Sequence, residues 1–275
     1  MKLGISGKPD SIQLAKEHGA RGVPILVNTL ANQGAKAATA AVRDAGLEVC
    51  QISAFGLNPL SPERAKQEEQ RCLVEKAIPL APETGCPMIV VNGGNYDPSG
   101  FLCGHRDNFG KRALDEAARG LAPLVKLAES HGVQIAIEPF VQCAVNTPER
   151  FLELKEKIGS PALTLNLDIC NFFTYQDMWE PAEAVERICN ALAGHYSFVH
   201  CKDLMVSKGV HIHIDEAPLG TGVVDWSLAL RHVGRDLPAD GWFIYEHIKA
   251  AEDARAGMRY LRQAAEKAGV QLGGK

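Results

Sequence analysis

The sequence predicts a single (β/α)8 barrel over residues 1–275, because it holds eight short apolar strand segments, helical segments between them, and no linker or low-complexity break. Most of the strand segments are continuously apolar rather than alternating, which is the pattern of parallel strands covered on both faces. The length of 275 residues suits a barrel, a fold that commonly takes about 250. An open doubly wound sheet is the rival arrangement. It lacks support because GISGKPD, not a G-x-G-x-x-G turn, follows the first strand.

The elements follow in order. KLGIS (2–6) is the first strand, and SIQLAKEHG (11–19) after it has helical spacing and a terminal glycine stop. GVPILV (22–27) and AKAATAAVRDAG (35–46) repeat the pair. LEVCQIS (47–53) precedes EEQRCLVEKAIPLAPETG (68–85), where Pro79 and Pro82 predict a bend or a break. PMIVVN (87–92) leads into the longest helix, KRALDEAARGLAPLVKLAESHG (111–132). VQIAIE (133–138) precedes TPERFLELKEKIG (147–159), whose Thr147 and Pro148 form an N-cap and first-turn pair. LTLNLD (163–168) is followed by EPAEAVERICNALAG (180–194). SFVHCK (197–202) and WFIYEH (242–247) are the last strands, and EDARAGMRYLRQAAEKAG (252–269) is the last helix. The longest irregular stretches, 53–67, 93–110 and 202–227, each come directly after a strand. Loops on that side of a barrel build its active site.

Composition narrows the function. Hydrophobic residues make up 46% and charged residues 23%, the balance of an ordinary soluble protein. A net charge of -4 without a dense Lys/Arg cluster excludes a protein that lives on phosphate contacts, so neither nucleic acid nor an anionic membrane is an expected partner. No apolar stretch reaches membrane-spanning length and no signal peptide is visible, so a cytoplasmic location is expected. The eight cysteines are scattered with no C-x-x-C pair and are expected to be free, reduced core residues.

Four polar residues stand at the ends of four apolar strands: Glu138 closes IAIE, Asp168 closes LNLD, His200 sits in FVH and Glu246 in FIYE. In a barrel all four project toward one mouth. Burying them is costly unless they are paired or gather a cation. Three carboxylates and an imidazole form an oxygen-rich site that suits one divalent ion, Mn²⁺ or Mg²⁺ first, with Co²⁺ or Zn²⁺ also compatible.

The pieces IAIEPF (135–140), LNLDICN (165–171), FVHCKD (198–203), APLGTGVVDW (217–226) and FIYEH (243–247) resemble, in order and spacing, the xylose isomerase-like TIM barrel superfamily of sugar phosphate isomerases and epimerases. The first half of the chain matches in topology only. The resemblance implies that Glu138, Asp168, His200 and Glu246 bind the metal and that Glu138 and Glu246 serve as an acid/base pair. In such chemistry a metal that chelates a carbonyl and its neighbouring hydroxyl acidifies the adjacent C–H and stabilises the enediolate. The expected function is a metal-dependent isomerase or epimerase of a small sugar, inosose or hydroxy-keto compound. Two alternatives stand beside it. One is a lyase of the same family, an inosose dehydratase or a C-glycoside-deglycosylating subunit; the other is a non-catalytic sugar-binding barrel. A homo-oligomer is left open, and the absence of an arginine cluster at the mouth leans toward unphosphorylated substrates.

Two positions depart from the family pattern. Asn171 stands where many members have the histidine of D-x-x-H, and Asn28 is the only polar residue near the end of strand two, where many have glutamate. Asn171, Lys202, Asn92, His105 and His211 are the candidates for substrate contact. Asp203 is read as a loop anchor, His211 and His213 as alternating in HIHID, Gly220 and Gly222 as tight-loop glycines, and Trp226 and Trp179 as packing residues.

Overall fold

The computed structural model describes residues 1–8, 10–100 and 103–273. Eight parallel strands close into a barrel in the order β1-β10-β7-β6-β5-β4-β3-β2. They are β1 (Lys2–Gly7), β2 (Gly22–Leu26), β3 (Glu48–Ser53), β4 (Met88–Asn92), β5 (Gln134–Glu138), β6 (Leu163–Asp168), β7 (Tyr196–Cys201) and β10 (Trp242–Ile248). Each predicted strand is present. The apolar runs behave as their composition requires, with Ile5, Ile52, Ile89, Ile135, Leu163, Phe198 and Phe243 fully buried.

By contacts, two compact units divide the chain, Pro24–Asn166 on one side and Met1–Val23 with Leu167–Lys275 on the other. In the first, β3, β4 and β5 pair in register, ending with Asn92 opposite Glu138. Helices α4 (Arg64–Ala77), α5 (Lys111–Ser130) and α6 (Pro148–Ile158) pack there, and the Thr147 hydroxyl caps α6 by accepting from the Arg150 N–H. In the second, β10 pairs with β1 and β7. Helices α1 (Ser11–His18), α7 (Pro181–Leu192), α8 (Trp226–Asp236) and α9 (Ala251–Ala268) surround those strands.

Three local features differ from expectation, and a fourth, the proline region, bends as expected. Val27 does not extend β2; it opens α2 (Val27–Ala38), which breaks at Gly34 (φ 78°, ψ 164°) and is followed by α3 (Ala40–Asp44), so one expected helix becomes two pieces. Past α4, the Pro79 and Pro82 region tightens into 3-10 turns, as the prolines dictate. The stretch 202–227 is not irregular: β8 (Asp203–Ser207) and β9 (His213–Ala217) form an antiparallel hairpin. Helix α8 has no counterpart among the expected helices. It starts where the Asp225 carboxylate accepts the Ser227 and Leu228 N–H groups.

Trp226 is fully buried and T-shaped against Phe243, but Trp179 is 62% exposed and T-shaped against Tyr175, so it is not a core packing residue. All eight cysteines are free; six are buried, whereas Cys72 is half-buried and Cys103 exposed, outside the core expected for them. Among the described residues, no helix is long and apolar enough to cross a membrane.

Candidate metal centre

Parallel strands deliver their last residues to one rim, and four such residues converge. One ligand atom from each of Glu138 (end of β5), Asp168 (end of β6), His200 (β7) and Glu246 (β10) lies within 4.8 Å of the others, and all four side chains are buried. Strand alternation explains the inward aim. Asn166 and Asp168, two apart on β6, face the same way, as do His200 and Lys202 at the end of β7.

The partners of these groups tune them. The Asn166 amide donates to Glu138 Oε2 at 2.6 Å, inside a site where neither residue meets solvent. His200 Nδ1 lies 2.8 Å from Glu246 Oε2. The Lys202 ammonium, 5% exposed, donates to Asp168 Oδ2 at 2.5 Å and to Glu246 Oε1 at 3.0 Å. Burial pushes the Glu246 carboxyl upward, but His200, Lys202 and His247 outweigh it and hold the group well below the usual carboxylate range.

Glu246 also occupies a special backbone position. Between Ile5 and Gly7 of β1 the partner on β10 advances from Tyr245 to Ile248, so Glu246 and His247 form a bulge. His247 takes φ of 57°, a left-handed conformation unusual for a side-chain-bearing residue. Gly7 permits the close approach, because a Cβ there would run into Ile248. His247 is held by an ion-pair contact to Glu216 at the end of β9, and its Nε2 lies 3.5 Å from Glu246 Oε1. Glu216 is held down to about 2, first by its hydrogen bond to His247.

Asp203 anchors the loop that follows the hairpin. Its buried carboxylate accepts the N–H groups of Leu204, Gly220, Gly222 and Val224 at 3.0–3.1 Å. Gly220 sits at φ 89°, and a Cβ on Gly222 would strike Asp203, which accounts for the glycines of APLGTGVVDW.

Of the sequence candidates for substrate contact, Lys202 lies in the cluster itself. Asn171 is half-buried in the turn after Asp168, with its N–H 3.4 Å from Asp168 Oδ1. The Asn92 amide is committed to loop backbone: it donates to the Phe55 and Leu57 carbonyls and accepts the Gly94 N–H. His105 caps a 3-10 turn by accepting the Asp107 N–H and stacks edge-on against Tyr96. His211 is exposed at the hairpin tip between β8 and β9, and His213, across from Ser207, is exposed as well. Asn28 is exposed in the first turn of α2 and accepts the Thr29 N–H.

Three residues that sequence reasoning did not single out take part: Asn166, Glu216 and His247. Asn166 carried a signal, its two-residue spacing from Asp168. His247 was visible beside Glu246, but its role depends on a bulge and on Glu216, and neither follows from strand pattern.

The donor set fits a divalent cation. Three buried carboxylates against the ammonium of Lys202 leave a net negative charge that a hard, oxygen-preferring dication would neutralise, and His200 would supply a nitrogen ligand.

The xylose isomerase-like TIM barrel family model matches residues 12–264. The chain belongs to this family. A search of curated proteins by sequence returns no significant match. Solved structures of the xylose isomerase-like fold superpose across nearly the whole chain. A D-tagatose 3-epimerase-like protein aligns with TM-score 0.74 at 23% identity, covering 98% of each chain. A xylose isomerase-like TIM barrel protein from Mycobacterium smegmatis, in complex with magnesium, aligns with TM-score 0.73 at 19% identity over 94% of this chain and 88% of its own. The probable 3-DHS dehydratase of petrobactin synthesis from Bacillus anthracis aligns with TM-score 0.68 at 20% identity over 95% and 99%. At these identities the likeness carries the fold alone.

Proposed function

We propose that this chain is a divalent-metal-dependent isomerase or epimerase of a small, unphosphorylated carbohydrate or polyol-derived ketone, with Glu138 and Glu246 as its acid/base pair. The observation that carries the reading is the burial of three carboxylates and an imidazole within 4.8 Å at the ends of four strands. The epimerase-like and magnesium-bound relatives support it.

Glu138, Asp168, His200 and Glu246 would hold the ion, Mn²⁺ or Mg²⁺ by the hardness of the donors. When bound, such an ion acts as a Lewis acid on a substrate carbonyl and its neighbouring hydroxyl, which lowers the pKa of the C–H between them. The protein's residues then handle the proton. Glu246, held ionised, can accept it, and Glu138, held by the Asn166 amide, is the second carboxyl available to return a proton. Proton return to the other face inverts the centre, and return to the adjacent carbon interchanges aldose and ketose. Asn171, and Lys202 once its ammonium is free of Asp168 and Glu246, are assigned to substrate oxygens; Asn92, His105 and His211 are not, because their side chains serve loops or face solvent.

The test is a panel of ketoses, inososes and 3-keto-glycosides incubated with Mn²⁺ in deuterium oxide. Deuterium should enter one carbon of the true substrate, and Glu246→Gln or Glu138→Gln should slow the exchange by about 10²–10⁴-fold. A second reading, a lyase, rests on the dehydratase relative and predicts an unsaturated product instead of a stereoisomer. Sugar binding that survives with no exchange in any panel member would leave only a non-catalytic barrel.

A further inference from the structure

Lys202 is the one strong charge in the cluster that proton transfer does not require, and it sits on the ligands themselves. It follows β7 directly, is almost fully buried, and divides its ammonium between Asp168 Oδ2 at 2.5 Å and Glu246 Oε1 at 3.0 Å. Glu246 Oε2 meanwhile faces His200 Nδ1 at 2.8 Å. Three of the four proposed ligands are therefore satisfied by one another and by a lysine. A divalent ion needs carboxylate oxygens at about 2.0–2.2 Å, a position from which it repels an ammonium bonded to the same carboxylates.

The geometry points to Lys202 as a resident counter-cation: it neutralises Asp168 and Glu246 in the metal-free protein and is displaced when the metal binds. This inference rests on the metal reading given above. An exit is built beside it. Lys202 lines a cavity together with Glu216, Glu246, His247, Lys249 and Asp253. The lysine stem is long and flexible, and the Asp253 carboxylate on the cavity wall, beside a Glu216 already shared by His247 and Lys249, offers the ammonium a partner once it swings away. Two consequences follow. The metal-free chain stays folded without burying uncompensated carboxylates, and metal affinity is set by an exchange of cations rather than by filling a vacant site.

The experiment needs no variant to begin. Wild-type protein is titrated with Mn²⁺ alone, and lysine acylation by an amine-reactive ester is mapped by mass spectrometry with and without saturating Mn²⁺, with the exposed Lys66 as reference. Lys202 should be protected in the metal-free protein and become reactive by about tenfold or more on Mn²⁺ binding, while Lys66 is unchanged. The variant Lys202→Met should bind Mn²⁺ about tenfold more tightly and unfold at a lower temperature than wild type when metal-free. Mn²⁺ binding with Lys202 still protected, or a variant that binds no more tightly, overturns this inference and leaves the metal reading intact. Absence of Mn²⁺ binding in the wild type overturns both.

Discussion

Asn166 shows how much of the site is decided by single hydrogen bonds. Its amide donates to Glu138 Oε2 at 2.6 Å, and both groups are buried. A hydrogen bond to an ionised acceptor in that setting contributes more than a neutral one, and losing it leaves a buried carboxylate short of a donor. Asn166→Ala should therefore cost about 2 kcal/mol in urea unfolding of the metal-free protein. Asn166→Asp, which sets two carboxylates against each other, should cost more. Equal stability of all three proteins would show that Glu138 is held by other contacts. The four clustered side chains were legible in the sequence because each is an isolated polar group near the end of an apolar run, where burial without a partner is expensive. Asn166 was harder to see, since an asparagine inside LNLD differs little from a polar residue at a strand edge until the neighbouring strand brings Glu138 to it. Lys202 was legible as a polar residue on the inner face, but its pairing with Asp168 and Glu246 links residues 34 and 44 positions away, beyond what spacing can report.

At the scale of elements, the bulge in β10 and the β8–β9 hairpin work together. The bulge turns His247 into a left-handed conformation, and Glu216 at the hairpin's end holds its ring. This contact ties the hairpin to the strand that carries Glu246. Its pH dependence has two limbs. The Glu216 pKa is depressed to about 2, so its contribution is complete above the ordinary value of 4.5 and is lost as pH falls toward 2. Burial draws the His247 pKa down, but Glu216 and Glu246 more than reverse this. The net pKa is raised, so its contribution is complete below 6.5 and is lost as pH rises through the folded value. Both side chains are partly exposed, so solvent screening keeps the effect modest. Hydrogen exchange of the β8–β9 amides in metal-free protein should be slowest, relative to the intrinsic rate, between about pH 4.5 and 6.5. Glu216→Gln should flatten both limbs; a profile that the variant does not change would remove the clasp. Neither the hairpin nor α8 was expected from sequence. HIHID alternates polar and apolar residues with both sets exposed, and the cap at Asp225 hides behind the glycines of the preceding loop.

For the whole molecule, the barrel was the most legible feature, since eight apolar runs separated by helical spacing leave few ways to bury both faces of every strand. The mouth was less so, because its loops are shaped by positions such as Gly34, Gly220 and Asp203, whose effects depend on close approach rather than pattern. The proposed centre draws one side chain from each of β5, β6, β7 and β10, so a bound ion would cross-link strands that otherwise hold together by backbone pairing and apolar packing. Any species that binds the folded chain and not the unfolded one stabilises it by mass action, by about 2.7 kcal/mol at a hundredfold excess over Kd. For a chain of this size that corresponds to a rise in Tm of roughly 5–10 °C. Thermal unfolding of chelator-stripped protein should therefore shift upward progressively with Mn²⁺, and chelation should reverse the shift. Asp168→Asn, which keeps the shape but removes the negative charge and replaces one carboxylate oxygen by an NH2 group, should abolish most of it. The shift should saturate at higher Mn²⁺ in wild type than in Lys202→Met, because only the wild type must release an ammonium to admit the ion. A Tm indifferent to millimolar divalent ions would mean that the four side chains meet for one another's sake and not for a metal.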